Sequence, residues 1–176
     1  MADTCKGFDF IKAKACDHAR MTFGQRLTGV LKLQPFTFEE IEASPAANGQ
    51  AAAVVVIASI AAGIGAGLMG GLVPLVVGTI AALVGWIMWA GVTYFIGGRL
   101  LAEPGTHTDM GELLRVIGFS YAPNLFAVFA FIPGVGWVVQ AAVACWLLAA
   151  TVIAVRQALD YHSTLRAVAV VLIGWF

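Results

Sequence analysis

Charged residues are scarce in this sequence. Lys and Arg number 10 and Asp and Glu number 10, so 11% of the 176 positions carry charge, against about 25% in an average soluble domain. Hydrophobic residues make up 60%, and the mean hydropathy is +0.89. So much apolar surface does not fit into one small core, which excludes an ordinary water-soluble domain and makes lipid part of the solvent. The net charge of 0 lacks the basic excess that nucleic-acid binding requires, so no nucleic acid is expected as a partner.

Charge is absent altogether from two long stretches. Residues 43–98 and residues 116–155 contain no Asp, Glu, Lys or Arg, and one membrane span needs about 20 apolar residues. Each stretch is therefore long enough for two spans joined by a turn. Residues 70–74 (GGLVP) and 133–136 (PGVG) supply the turns, since proline removes a helical donor and glycine accepts unusual backbone angles.

These patterns predict an all-α integral membrane protein, a polytopic bundle of about five helices. The first four spans are expected at residues 51–69, 72–96, 116–132 and 136–155, which form two hairpins, and residues 163–176 form a short fifth span. Fourteen residues give about 21 Å of helix, less than the ~30 Å hydrocarbon core. The fifth span is therefore expected to be half-inserted, supported by a partner, or continued by residues beyond Phe176.

Basic residues fall on one side of this topology. Six of the ten precede the first span, and the other four flank the loops after the second and fourth spans, at Arg99, Arg115, Arg156 and Arg166. Because Lys and Arg favour cytoplasmic loops, the N-terminus and both loops are predicted to be cytoplasmic, in the inner membrane if the source is prokaryotic. Residues 1–30 lack the apolar run of a secretory signal. The three cysteines are an odd number, and no structural disulfide is expected.

The first 45 residues are predicted to form a cytoplasmic segment ahead of a transmembrane domain at residues 46–176. Apolar residues recur in this segment at helical spacing, at Phe23, Leu27, Val30 and Leu31. Polar residues between them favour an amphipathic helix in the lipid headgroup plane, with docking on a protein and disorder as alternatives. Thr37 and Glu40 match a capping box, which predicts a short helix that ends before Pro45.

Small residues recur every four positions along the first span, at Ser59, Gly63, Gly67 and Gly71. One face of this span is therefore almost free of side chains, so the backbone of another helix can approach it closely. The neighbouring helix is either the second span of the same chain or a helix of a partner.

A few polar residues lie within the spans. Ser120, Tyr121 and Asn124 surround Pro123, where a broken helix could present them to a substrate, as in transporters. The alternative is hydrogen bonding between helices at a kink. The first four spans contain no Asp, Glu, Lys, Arg or His, so no catalytic residue, metal site or cofactor is predicted.

The run FTFEEIEASPAANGQA at residues 36–51 resembles the start of prokaryotic Yip1-domain proteins, in which an acidic EEIE stretch leads through a Gly-Gln junction into the first span. Further short motifs follow in the family's order: GG at 97–98, GELLRVIGF at 111–119, YAP at 121–123, IP at 132–133, ALD at 158–160 and TLRA at 164–167. The resemblance covers about residues 20–176 and implies a five-span membrane domain. Eukaryotic relatives are associated with vesicle trafficking and small GTPase binding, whereas prokaryotic members largely lack an assigned activity.

We therefore expect a non-enzymatic protein that acts as a structural or accessory subunit, or as an organiser, of a larger membrane protein complex. A small-solute channel or transporter is the alternative. The expected partners of this accessory protein are membrane lipids and other membrane protein subunits, and a homo-oligomer is a further alternative. Because polar specificity requires polar groups, the partner contact is expected on the cytoplasmic side, at Glu39, Glu40, Glu42, Arg99 and Arg115. Docking through the lipid-facing helices is the alternative.

Overall fold

The computed structural model describes residues 21–66, 71–100 and 108–175. In these ranges the chain forms seven α-helices and no strand: α1 (Phe23–Leu31), α2 (Pro35–Ala43), α3 (Ala47–Gly65), α4 (Leu72–Phe95), α5 (Met110–Ser120), α6 (Gly136–Ala158) and α7 (Thr164–Trp175). A π-helical turn (Ile96–Leu100) extends α4, and a 3₁₀ helix (Ala122–Phe131) continues α5.

Four helical segments are long and apolar enough to cross a membrane, namely Ala47–Gly65, Leu72–Leu100, Met110–Phe131 and Gly136–Ala158. A shorter apolar helix follows at Thr164–Gly174. The predicted all-α membrane architecture, with a short last helix, is therefore confirmed. The third segment is the most enclosed of the four, with 56% of the residues in its most apolar stretch buried inside the protein. In the second segment only 6% are buried, so α4 lies at the edge of the bundle.

The third segment changes helix type halfway along its length. Asp109 caps the amide of Gly111, while the Glu112 carboxylate accepts from the Asp109 amide, and this capping box begins α5. Pro123 has no amide hydrogen, and beyond Tyr121 the backbone continues as a 3₁₀ helix for ten residues. Such long 3₁₀ runs are uncommon. At about 2.0 Å per residue the run is longer and thinner than an α-helix, so the complete segment still spans the ~30 Å core.

The N-terminal segment packs on this bundle. In α1, Val30 is buried, and Phe23, Leu27 and Leu31 are packed against the core. The Phe23 ring lies 6.1 Å from the Phe119 ring of α5, and the indole Nε1 of Trp146 donates to the Leu31 carbonyl at 3.1 Å. The predicted amphipathic helix is present, and much of its apolar face contacts the chain's own helices.

The start of α2 differs from the sequence-based expectation. The helix begins at Pro35, and Thr37 lies inside its first turn with its hydroxyl buried and unpaired among the described residues. The capping box predicted at Thr37 is therefore wrong, because Pro35 fixes an earlier helical start. The predicted end is confirmed, since the helix stops at Ala43, before Pro45.

Candidate functional site

A buried polar cluster joins α1 to α2 and α3. The Arg26 guanidinium donates from Nε to Glu40 Oε2 at 2.8 Å and from Nη2 to Glu40 Oε1 at 2.7 Å. It also donates to Ser44 Oγ at 2.9 Å and to Gln50 Oε1 at 2.6 Å. The side chains of Arg26 and Glu40 are 5% and 2% exposed. This bidentate geometry satisfies both charges, as an ion pair removed from solvent requires.

The cluster changes the interpretation of Glu40. We expected this residue to contact a partner, but its carboxylate lies inside the chain and is engaged by Arg26. The cluster also gives a structural reason for two features of the family-like N-terminal run, because Glu40 belongs to its EEIE stretch and Gln50 to its Gly-Gln junction. Sequence reasoning assigned no function to Arg26.

A second group of charges lies where α2 meets α5 and α6, and we call this region the charged end. Arg115 is buried, and its Nε donates to the Glu42 carbonyl oxygen at 3.2 Å. Glu39 is exposed and accepts from Gln157 Nε2 at 2.7 Å. Arg99, in the π-helical turn that extends α4, is exposed. Of the five residues expected to contact a partner, the structure therefore leaves Glu39, Glu42 and Arg99 at least partly accessible and encloses the other two.

Glu42 is the titratable group most affected by the charged end. Its carboxyl group is partly buried, and Asp160, Glu112 and Glu39 lie near it. Burial first, and then these negative charges, raise the pKa of Glu42 from its ordinary value of 4.5 to about 7, while Arg115 acts in the opposite direction. The carboxyl group therefore changes charge near neutral pH.

The small-residue face of the first span contacts α4 over part of its length. Ser59 Oγ lies 3.3 Å from Thr79 Oγ1, and a Cβ atom added to Gly63 would collide with the Leu75 side chain. These contacts are within the chain, to the second span. Gly67 lies outside the described residues. Gly71 has no atom within 4 Å of an added Cβ, and its φ of +85° makes it a turn residue and not a packing residue.

Among the described glycines of α3, Gly65 makes the closest backbone approach, and the small-residue pattern missed it. A Cβ atom there would overlap the carbonyl oxygen of Ala127 in the 3₁₀ helix. Only glycine fits without a backbone shift. Gly65 does not belong to the series of small residues at every fourth position. The sequence signal that could have indicated this contact is a glycine near the end of an apolar helix.

The three polar residues around Pro123 separate into two groups. Ser120 is fully buried, donates to the Ile117 carbonyl oxygen at 2.7 Å and lies 3.3 Å from the Thr151 hydroxyl, so it joins α5 to α6. Tyr121 and Asn124 instead line a cleft of about 320 Å³ between α3, α4 and the 3₁₀ helix. The structure thus supports interhelical bonding at Ser120 and a lined cavity at the other two positions.

A second cleft, of about 380 Å³, lies on the other side of Tyr121. Its lining comes from α4, α6, α7 and the helix junction, at Gly85, Trp89, Tyr121, Leu147, Thr151 and Gly174. Within the described ranges, no group of three or more His, Cys, Asp or Glu residues is placed to hold a metal ion.

Long apolar helices with charges at their ends define this chain as a polytopic helical membrane protein. The family model of the Yip1 domain matches residues 28–176. Because the match includes most of the chain and every helix from α2 onward, the protein belongs to the Yip1 family. Comparisons with curated proteins and with solved structures gave no significant match.

Proposed function

We propose that this Yip1-domain protein is a non-enzymatic accessory or organising subunit of a larger membrane protein complex, and that the charged end binds the partner. The supporting observation is the accessible charge at this end, where Glu39 and Arg99 are exposed and Glu42 is partly so. Membership of a family that is not known as enzymatic agrees with this function. The opposite turn at residues 133–135 is short and carries no charge.

Charged groups on an accessible rim guide association and select partners, and their contribution weakens as salt screens them. A partner with a complementary mixed-charge surface would therefore bind at the charged end in a salt-dependent way. Glu40 and Arg115 act indirectly in this proposal, because they hold α2 in position from inside the chain.

The test is affinity purification of the tagged protein in mild detergent, followed by quantitative mass spectrometry. Glu39→Lys and Arg99→Glu reverse exposed charges without touching the buried ion pair. We expect each to lower the amount of co-purified membrane subunits and to make the remaining association more sensitive to salt.

Val135→Lys is the matched control, because it places a charge on the exposed turn at the other end of the bundle. It should leave the partner stoichiometry unchanged. Unchanged stoichiometry with both reversals would move the interface to the lipid-facing helices and overturn the proposal. A purified chain that has no partner but supports solute flux in liposomes would favour the channel or transporter instead.

A further inference from the structure

The two clefts lie along one side of α4. Its lining residues follow each other at intervals of four, four, three and four positions, at Pro74, Gly78, Ala82, Gly85 and Trp89. This spacing places them on a single helix face. Gly78 and Gly85 have no atom within 4 Å of an added Cβ. This face of α4 is therefore open at the two glycines, while Ala82 and Trp89 pack against the core, and Tyr121 lines both clefts.

The first cleft lies inside the hydrocarbon core, below the charged end. The uncharged part of the third segment begins at Val116, directly after Arg115. Tyr121 lies five residues further along, about 8 Å at 1.5 Å per residue, and Asn124 lies three residues beyond it in the 3₁₀ helix, about 6 Å more at 2.0 Å per residue. Asn124 is therefore about 14 Å from the charged edge, close to the midplane of the ~30 Å core, and Tyr121 lies between that edge and the midplane.

Two polar side chains in this cleft lack a partner among the described residues. Ser59 is satisfied by the Val56 carbonyl oxygen and Thr79. The Tyr121 hydroxyl and the Asn124 side-chain amide make no hydrogen bond in the described part of the chain, although both residues line the cleft. Lipid tails offer no hydrogen-bonding atom, so an unpaired polar group at this depth is costly.

We propose that this cleft binds a neutral, bilayer-soluble carbonyl compound, whose oxygen accepts hydrogen bonds from Tyr121 and Asn124 and whose apolar body lies against α4. A carbonyl oxygen has two lone pairs, which match the two donors. The remaining lining is mainly apolar, at Val55, Pro74, Leu75 and Ala82.

The lining and the depth select this class of ligand. The described residues that line the two clefts include no charged side chain, so they offer an ionic ligand no counter-charge in a medium where charge is costly. Phospholipid ester carbonyls lie at the edge of the hydrocarbon core, about 15 Å from its midplane. A ring ketone or quinone attached to an apolar tail carries its oxygen to the required depth.

The experiment uses 4-decylbenzophenone, in which the carbonyl is both the hydrogen-bond acceptor and the photoreactive group. The full-length protein in phosphatidylcholine nanodiscs is irradiated with increasing probe, and cross-linked peptides are mapped by mass spectrometry. We expect saturable cross-linking to the residues that line the first cleft. A decyl-substituted quinone should compete for the site, and decylbenzene, which lacks the carbonyl, should not.

Variants separate the hydrogen bonds from the cavity. Tyr121→Phe and Asn124→Leu should each weaken binding about fivefold, the usual factor for one lost hydrogen bond. Gly78→Leu fills the cleft and should abolish saturable cross-linking, whereas Gly49→Leu places the same side chain at another open helical position and should not. The thermal unfolding of each variant shows that it is folded.

Two results would overturn the proposal. Cross-linking in proportion to lipid exposure along α4 and α6, unaffected by Gly78→Leu, would mean that the probe only dissolves in the surrounding lipid. Equal binding by the wild type, Tyr121→Phe and Asn124→Leu would mean that acyl chains fill the cleft without carbonyl recognition. Neither result bears on partner binding at the charged end, which is tested separately by co-purification.

Discussion

Replacing Arg26 by methionine should destabilise the protein strongly. The change keeps much of the apolar stem but removes the guanidinium, which makes four hydrogen bonds to Glu40, Ser44 and Gln50. The Glu40 carboxylate, whose side chain is 2% exposed, would be left without its counter-charge. Breaking a buried ion pair in this way costs about 3–5 kcal/mol, a large part of the 5–15 kcal/mol that stabilises a typical folded domain.

The assay is thermal unfolding in mild detergent, followed by circular dichroism. For a chain of this size, the expected loss lowers the midpoint by about 6–20 °C. Arg99→Met removes the same charge from an exposed position and should shift the midpoint by no more than about 2 °C, because surface substitutions usually change stability by less than ~0.5 kcal/mol.

The double variant Arg26→Met with Glu40→Leu distinguishes the stabilisation that the ion pair itself provides from the cost of leaving Glu40 buried without a counter-charge. It removes both buried charges, so it should recover most of the stability lost in Arg26→Met, since apolar replacement of a buried pair is often neutral. The reasoning is refuted if Arg26→Met costs less than about 1 kcal/mol. A double variant that is no more stable than Arg26→Met would refute it equally.

Three further predictions concern other parts of the molecule. Gly65→Ala should lower the unfolding midpoint, because the added Cβ meets the backbone of the 3₁₀ helix. Gly49→Ala, where the added Cβ meets open space, should be neutral or stabilising. Equal effects of the two substitutions would contradict the close contact between Gly65 and the 3₁₀ helix. The raised pKa of Glu42 means that its protonated carboxyl group stabilises the folded state; this contribution is fully present below pH 4.5, the ordinary pKa of Glu, and is lost as the pH rises through about 7. The unfolding midpoint of the wild type should therefore fall between these pH values, and that of Glu42→Gln should fall less. Parallel plots of midpoint against pH for the two proteins would exclude Glu42 as the cause. In a chain without native cysteines, Lys32→Cys and Val135→Cys both lie at exposed positions; the first should react with an impermeant maleimide only from the cytoplasm and the second only from outside, and the reverse pattern would overturn the predicted orientation.

Hydropathy and charge spacing predicted much of the helical architecture. The two uncharged stretches at residues 43–98 and 116–155 predicted four spans, and the structure has four helical segments long enough to cross a membrane. Local signals also worked where partners are close in the chain, as in the capping box between Asp109 and Glu112. They failed at Thr37, because two helix-start signals competed and Pro35, two residues earlier, prevailed.

Contacts between distant residues required the tertiary structure. Arg26 and Glu40 lie on different helices, Arg115 reaches the backbone of Glu42 across 73 positions, and Gly65 meets the 3₁₀ helix. Whether a charged residue is exposed or paired depends on how helices pack, and no local pattern encodes that. The sequence by itself determined the membrane class, the spans and the polar residues available for a site, because hydropathy acts along each helix. Only the tertiary structure decided that Glu40 is enclosed and that Tyr121 and Asn124 line a cleft, because those properties arise between helices.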